Sequence, residues 1–122
     1  MSHPMEAETE SVLVVDDEPA VRALVQDILL SQGYPVLDAG GPWEALSVAE
    51  AHPIGLLLTD VMMPEMDGGE LAKRIESMRP HTKVLFMSGY APAGLLDPRA
   101  NFIAKPFTVA HIVQAVSDVL GR

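Results

Sequence analysis

Short apolar runs recur along this chain, and four of them stop at a polar side chain capable of chemistry. Val12-Leu13-Val14-Val15 runs into Asp16-Asp17, and Leu56-Leu57-Leu58-Thr59 runs into Asp60. Val84-Leu85-Phe86-Met87 runs into Ser88, and Phe102-Ile103-Ala104 runs into Lys105-Pro106. The pattern predicts strands at Ser11–Val15, Pro35–Ala39, Ile54–Thr59, Lys83–Met87 and Phe102–Ala104. Ile54–Thr59 is the most continuously apolar of them, as expected of a central strand covered on both faces.

Between the runs the apolar spacing changes to that of helices. Pro19–Ser31 carries Val21, Leu24, Val25, Ile28 and Leu29 on one face, and Gly33 follows as a stop signal. Pro42–Ala51 has proline near its first turn and directs Ala45, Leu46, Val48 and Ala49 inward. Glu70–Met78 aligns Leu71, Ile75 and Met78 before Pro80, and Val109–Leu120 aligns Ile112, Val113, Val116 and Leu120. Ala91–Ala100 holds Pro92, Gly94 and Pro98, which leaves room only for a short or irregular fourth helix.

Strands alternating with helices over short connections imply an α/β fold, a doubly wound five-stranded parallel sheet of flavodoxin type with strand order 2-1-3-4-5. Such sheets bind ligands at their carboxyl-terminal edge, where all four polar stops would gather.

Composition narrows the picture. The 122 residues are 48% apolar, enough for one compact domain; we place it at residues 11–122, behind a flexible polar tail at residues 1–10. No apolar run approaches the ~20 residues of a membrane span, and the amino terminus has no apolar signal region. With no cysteine there is no disulfide or thiolate site, and a cytoplasmic location is expected. Eight scattered Lys and Arg residues in a chain of net charge −9 argue against direct nucleic-acid binding. His3, His52, His81 and His111 lack ligand spacing, and Trp43 and the methionines read as packing residues.

The chemistry of the edge points to phosphorus and a hard cation. Asp16, Asp17 and Asp60 offer the oxygen donors Mg²⁺ prefers, with the Met62 carbonyl as a further oxygen. Asp60, ending a buried strand, needs a partner or a function, and a carboxylate can attack phosphorus to give an aspartyl phosphate. Lys105 would offset phosphoryl charge and the Ser88 hydroxyl would hydrogen-bond a phosphoryl oxygen. Singly, each residue has a plainer reading: Asp17 as a cap for the first helix, Ser88 as a turn residue, Lys105 as a surface lysine. Their joint occurrence at four strand ends favours the shared site.

From Val12 to Leu120 the chain resembles the receiver domain of bacterial two-component response regulators. The segments that carry the resemblance are Val12-Leu13-Val14-Val15-Asp16-Asp17-Glu18-Pro19, Asp60-Val61-Met62-Met63-Pro64-Glu65-Met66-Asp67-Gly68, Met87-Ser88-Gly89-Tyr90 and Lys105-Pro106-Phe107. The resemblance implies that Asp60 is the phosphoacceptor and that Asp16, Asp17, Asp60 and the Met62 carbonyl hold Mg²⁺. It implies that Ser88 and Phe102 form the switch, that Lys105 pairs with the phosphoryl group, and that the Lys105-Pro106 peptide is cis. The implied partner is a histidine kinase or phosphotransfer protein, and the 4-5-5 side, formed by the fourth helix, fifth strand and last helix, is a candidate homodimer face.

Two features depart from the family pattern. The stretch from Ser88 to Lys105 is shorter than usual, and Phe102 stands where a tyrosine is common, so the switch must work by packing. Tyr90 and Met62 would flank the path of water to the phosphoryl group. The Met87-Ser88-Gly89-Tyr90 segment is similar to receivers of hybrid sensor kinases. Two other readings stand beside this one. The first is a Mg²⁺-dependent phosphohydrolase, disfavoured because Met62 replaces its usual second acid. The second is a receiver-like interaction module that signals without phosphorylation. A nucleotide-binding fold is disfavoured because no glycine-rich loop follows the first strand.

Overall fold

The computed structural model describes residues 10–89 and 97–121. Its elements run β1 (Ser11–Val15), α1 (Pro19–Ser31), β2 (Val36–Ala39), α2 (Pro42–Ala51), β3 (Ile54–Asp60), α3 (Gly68–Met78), β4 (Lys83–Ser88), β5 (Phe102–Ala104) and α4 (Val109–Leu120). The strands form one parallel sheet in the order β2-β1-β3-β4-β5. This is the predicted topology. The short fourth helix expected between β4 and β5 falls mainly on residues 90–96, outside the described residues; at its far end the Ala100 amide closes a turn onto the Asp97 carbonyl. Tyr90 likewise lies outside them.

Strand side chains alternate between two apolar layers, the period-2 geometry of a pleated strand. Leu13, Val15, Leu57 and Phe86 meet Ala45 and Ala49 of α2 and Leu71, Ala72 and Ile75 of α3 on one face. Val12, Val14, Leu56, Leu58, Leu85, Met87 and Ile103 meet Val25, Ile28 and Leu29 of α1 and Ile112 and Val116 of α4 on the other. Burying each of these larger side chains contributes roughly 1.5–3 kcal/mol, so losing any one from the central strand is severe.

Several helix faces differ from the pattern reading. Leu24 is 52% exposed, because the buried stripe of α1 narrows to Val25, Ile28 and Leu29. Met78 is exposed at the end of α3, whereas Leu46, Val48, Val113 and Leu120 pack at the margins of the layers. Trp43 is also largely exposed, with the Arg74 guanidinium 5.5 Å from its ring centre. Helix α3 starts two residues earlier than predicted, since the Asp67 carboxylate accepts from the Glu70 amide at 2.9 Å and caps it. Gly33 adopts a left-handed conformation just past α1, as its sequence position indicated. Among the described residues no helix is long and apolar enough to cross a membrane.

Candidate functional site

Strand register assembles the carboxyl edge. Val15 of β1 lies opposite Thr59 of β3, Asp60 opposite Met87 of β4, and Ser88 opposite Ala104 of β5. Asp16, Asp60, Ser88 and Lys105 therefore sit at neighbouring strand ends. Asp16 and Asp60 continue the alternation of Val12 and Val14 and of Leu56 and Leu58, which turns both carboxylates to the same side.

Asp16 is fully buried and Asp60 nearly so, whereas Asp17 is exposed. Lys105 bridges the buried pair, its Nζ donating to Asp16 Oδ2 at 2.9 Å and to Asp60 Oδ2 at 3.1 Å. Glu18, which the motif reading did not single out, stands 3.7 Å from the same ammonium. The second oxygen of Asp16 accepts from the Glu18 amide at 2.9 Å, and that of Asp60 from the Met62 amide at 3.3 Å. Asp17 makes no capping bond to α1, whose N-cap is Glu18. The Lys105-Pro106 peptide is cis.

Burial is the largest influence on Asp60 and pushes its carboxyl above the usual range; the charge of Asp16 adds to this and Lys105 opposes it without prevailing. Burial alone would lower Lys105, but its bonds to Asp16 and Asp60 and their charges outweigh that and hold it above its ordinary value. The Asp60 shift is chiefly one of burial, whereas that of Lys105 reflects the two carboxylates it bridges; with Asp17 beside them, three carboxylates share this one ammonium's neighbourhood.

That imbalance fits a divalent cation. Carboxylate oxygens of Asp16, Asp17 and Asp60 all lie within 4.8 Å of one another. Ligands on opposite sides of an octahedral Mg²⁺ stand about 4.1 Å apart, so small side-chain adjustments suffice. Three carboxylates against one ammonium leave two negative charges, which one such ion neutralises.

Around the pocket, the backbone of Asp60 is tightly held. The Thr59 hydroxyl donates to its carbonyl at 2.9 Å, and the Gly68 amide donates to the Val61 carbonyl at 2.7 Å. A Cβ on Gly68 would collide with the Asp60 carbonyl oxygen. Here glycine serves close approach, a role that the sequence alone presents only as a loop residue. Glu65, in the same loop, holds a left-handed conformation at φ 75°.

The two expected switch residues differ in setting. Ser88 is buried, and its carbonyl accepts from the Lys105 amide at 2.9 Å. Phe102 is 45% exposed on β5, opposite Phe86. Arg22 escaped the motif reading altogether: its guanidinium reaches the Asp16 carbonyl and Asp38. Only its place as a lone basic residue in the first turns of an apolar helix hinted at a task.

Comparison with known proteins bears on this edge. Residues 12–117 match the response regulator receiver domain family. The chain is 33% identical over 114 residues to the response regulator receiver protein CpdR of Brucella abortus, covering 89% of this chain and 95% of that protein. It is 35% identical over 119 residues to the sensor kinase CckA of the same organism, covering 92% of this chain but only 13% of the kinase. The crystal structure of a CheY-like receiver domain protein from Methanospirillum hungatei superposes with a TM-score of 0.85 at 29% identity, over 92% of this chain and 94% of that one. A likeness that runs through both sheet and edge, over nearly the whole length, leaves one conclusion: the chain belongs to the response regulator receiver family, the phosphoryl-accepting domains of two-component signalling.

Proposed function

We propose that Asp60 is the phosphoacceptor, taking a phosphoryl group from a phosphohistidine on a partner histidine kinase or phosphotransfer protein in the cytoplasm. Asp16, Asp17, Asp60 and the Met62 carbonyl would hold Mg²⁺. Lys105 and the Ser88 hydroxyl would bind phosphoryl oxygens, and Phe102 would follow Ser88 as the switch. The observation that carries this reading is the position of Asp60. It ends the central strand, nearly buried, 3.1 Å from Lys105 and within reach of two further carboxylates.

An ionised Asp60 oxygen attacks phosphorus; the new O–P bond forms as the P–N bond to the donor imidazole breaks, and that imidazole recovers the electron pair. When bound, Mg²⁺ supplies positive charge beside the phosphoryl oxygens. The 3.1 Å contact of Lys105 with Asp60 supports its following the charge from carboxylate to phosphoryl group. The added negative charge draws Lys105 and Ser88 together, and the space Ser88 leaves admits Phe102 from its exposed position. An output partner responds only as far as it distinguishes the two arrangements.

The test is acyl-phosphate labelling by a small phosphodonor. The wild type gains one phosphoryl group, sensitive to hydroxylamine and dependent on Mg²⁺. The Asp60→Asn variant remains folded and gains none; labelling equal to wild type in that variant refutes the assignment. Mg²⁺-dependent binding of beryllofluoride separates the phosphorylated reading from a module that signals by docking alone.

A further inference from the structure

Arg22 lies in the first turns of α1, its side chain 20% exposed, and touches no carboxylate of the acidic pocket. Its Nη1 donates to the main-chain carbonyl of Asp16 at 2.6 Å, and its Nε to Asp38 Oδ2 at 3.1 Å. The guanidinium therefore ties the end of β1 to the end of β2. Gly40 leaves room for it, since a Cβ there would stand 3.2 Å from Nη1. Its charge is matched by Asp38, so little of it is spent on the pocket.

The carbonyl that Arg22 holds belongs to the Asp16-Asp17 peptide. Asp16 is secured besides by its side-chain bonds to the Glu18 amide and Lys105, and by its amide to the Ala39 carbonyl at 3.3 Å. Asp17 has no such support. It is exposed and makes no hydrogen bond or ion pair with any described residue, so the orientation of the peptide before it sets where its carboxylate points.

We propose that Arg22 is a positioning residue for the divalent cation, acting through the Asp16-Asp17 peptide to aim the Asp17 carboxylate into the site. The proposal rests on the reading of Asp16 and Asp17 as metal ligands. It makes a prediction whose sign is opposite to that of simple electrostatics. A positive charge near a cation site weakens binding, so its removal would tighten Mg²⁺ if charge were all that mattered. Loss of an orienting contact weakens metal affinity instead, typically by about 10- to 100-fold.

The experiment is a calorimetric titration of Mg²⁺ into the purified domain, wild type against Arg22→Met, Arg22→Gln and Asp17→Asn. Thermal unfolding without metal confirms that each variant is folded. Arg22→Met is expected to raise the Mg²⁺ dissociation constant about tenfold. Arg22→Gln loses the same charge but keeps a donor for the carbonyl, and is expected to lose less. Unchanged or tighter binding in Arg22→Met overturns the proposal, as does equal loss in both variants. Should Arg22→Met not fold, the direction of change in Arg22→Gln decides: weaker binding supports the proposal, equal or tighter binding overturns it. A wild type that ignores Mg²⁺, or an Asp17→Asn variant that binds it undiminished, instead removes the reading on which the proposal rests.

Discussion

Replacing Gly68 with alanine tests how closely Asp60 is held by its neighbours. The added Cβ would overlap the Asp60 carbonyl oxygen and stand 3.1 Å from both the Asp60 carbonyl carbon and Val61 Cα. All three are main-chain atoms of the central strand and its exit, so no side-chain rotation relieves the clash. Overpacking typically costs about 1–3 kcal/mol, and a backbone obstacle belongs at the upper end. Alanine recovers about 0.5–1 kcal/mol of helix propensity over glycine, leaving a net loss of about 2 kcal/mol. Unfolding entropy of ~2.1 cal/mol/K per residue gives a chain of 122 residues a slope of about 0.25 kcal/mol per degree, hence a fall of about 8 °C in Tm. Because the strain bears on Asp60 itself, Mg²⁺ affinity should fall with it. Thermal unfolding by circular dichroism, paired with Mg²⁺ titration, measures both. Gly41→Ala is the control: its backbone is extended and nothing lies within 4 Å of the new Cβ. That variant should lose less than about 1 kcal/mol. If Gly68→Ala melts with the control and binds Mg²⁺ as wild type does, the close approach has no energetic weight and the reasoning fails.

Other perturbations have definite signs. Lys105→Met removes the ammonium shared by two buried carboxylates and should cost about 3 kcal/mol without metal. Because Mg²⁺ then has more uncompensated charge to offset, its addition should raise Tm more in the variant than in wild type; an equal rise speaks against the charge balance described. Lys105 is held above its ordinary value of 10.5, so its stabilising contribution is complete below that pH and lost only as pH rises through the higher folded value. Wild type should accordingly lose its advantage over Lys105→Met only in strongly alkaline solution. For Asp60 the sign reverses. Its folded pKa is raised, so the ionised carboxylate burdens the metal-free fold above that pKa, and the burden lifts as pH falls toward the ordinary carboxylate range. Asp60→Asn should therefore raise Tm at neutral pH without metal, by an amount that shrinks on acidification. A gain that grows on acidification would contradict this. Glu65→Gly should relieve a left-handed strain of about 1 kcal/mol, partly offset by backbone entropy, and raise Tm slightly.

The fold was legible wherever local pattern and burial coincide. Uninterrupted apolar runs marked β1, β3 and β4, which are covered on both faces, and proline and glycine marked the ends of α1 and α2. Leu24 misled because periodicity locates an apolar face but not its width, which depends on how α1 sits over the sheet. The start of α3 was misplaced because Gly68 has low helix propensity, and its reason for being there is a tertiary contact. The clustering of Asp16, Asp17, Asp60 and Lys105 was legible because these polar residues end the apolar runs of β1, β3 and β5, and the geometry gathers them. Arg22 was not, because its partner Asp38 lies sixteen residues away and one of its bonds is to a carbonyl, which has no residue identity to read. The burial of Asp16 and exposure of Asp17 were likewise beyond reach of two identical letters side by side.

The most direct test of the central claim is a crystal structure of the domain grown with Mg²⁺ and beryllofluoride. The account predicts beryllium bonded to one Asp60 carboxylate oxygen, the metal ligated by Asp16, Asp17, the other Asp60 oxygen and the Met62 carbonyl, and Lys105 and Ser88 in contact with fluorine. A mimic bound at another residue, or a metal ion seated away from these carboxylates, would contradict it.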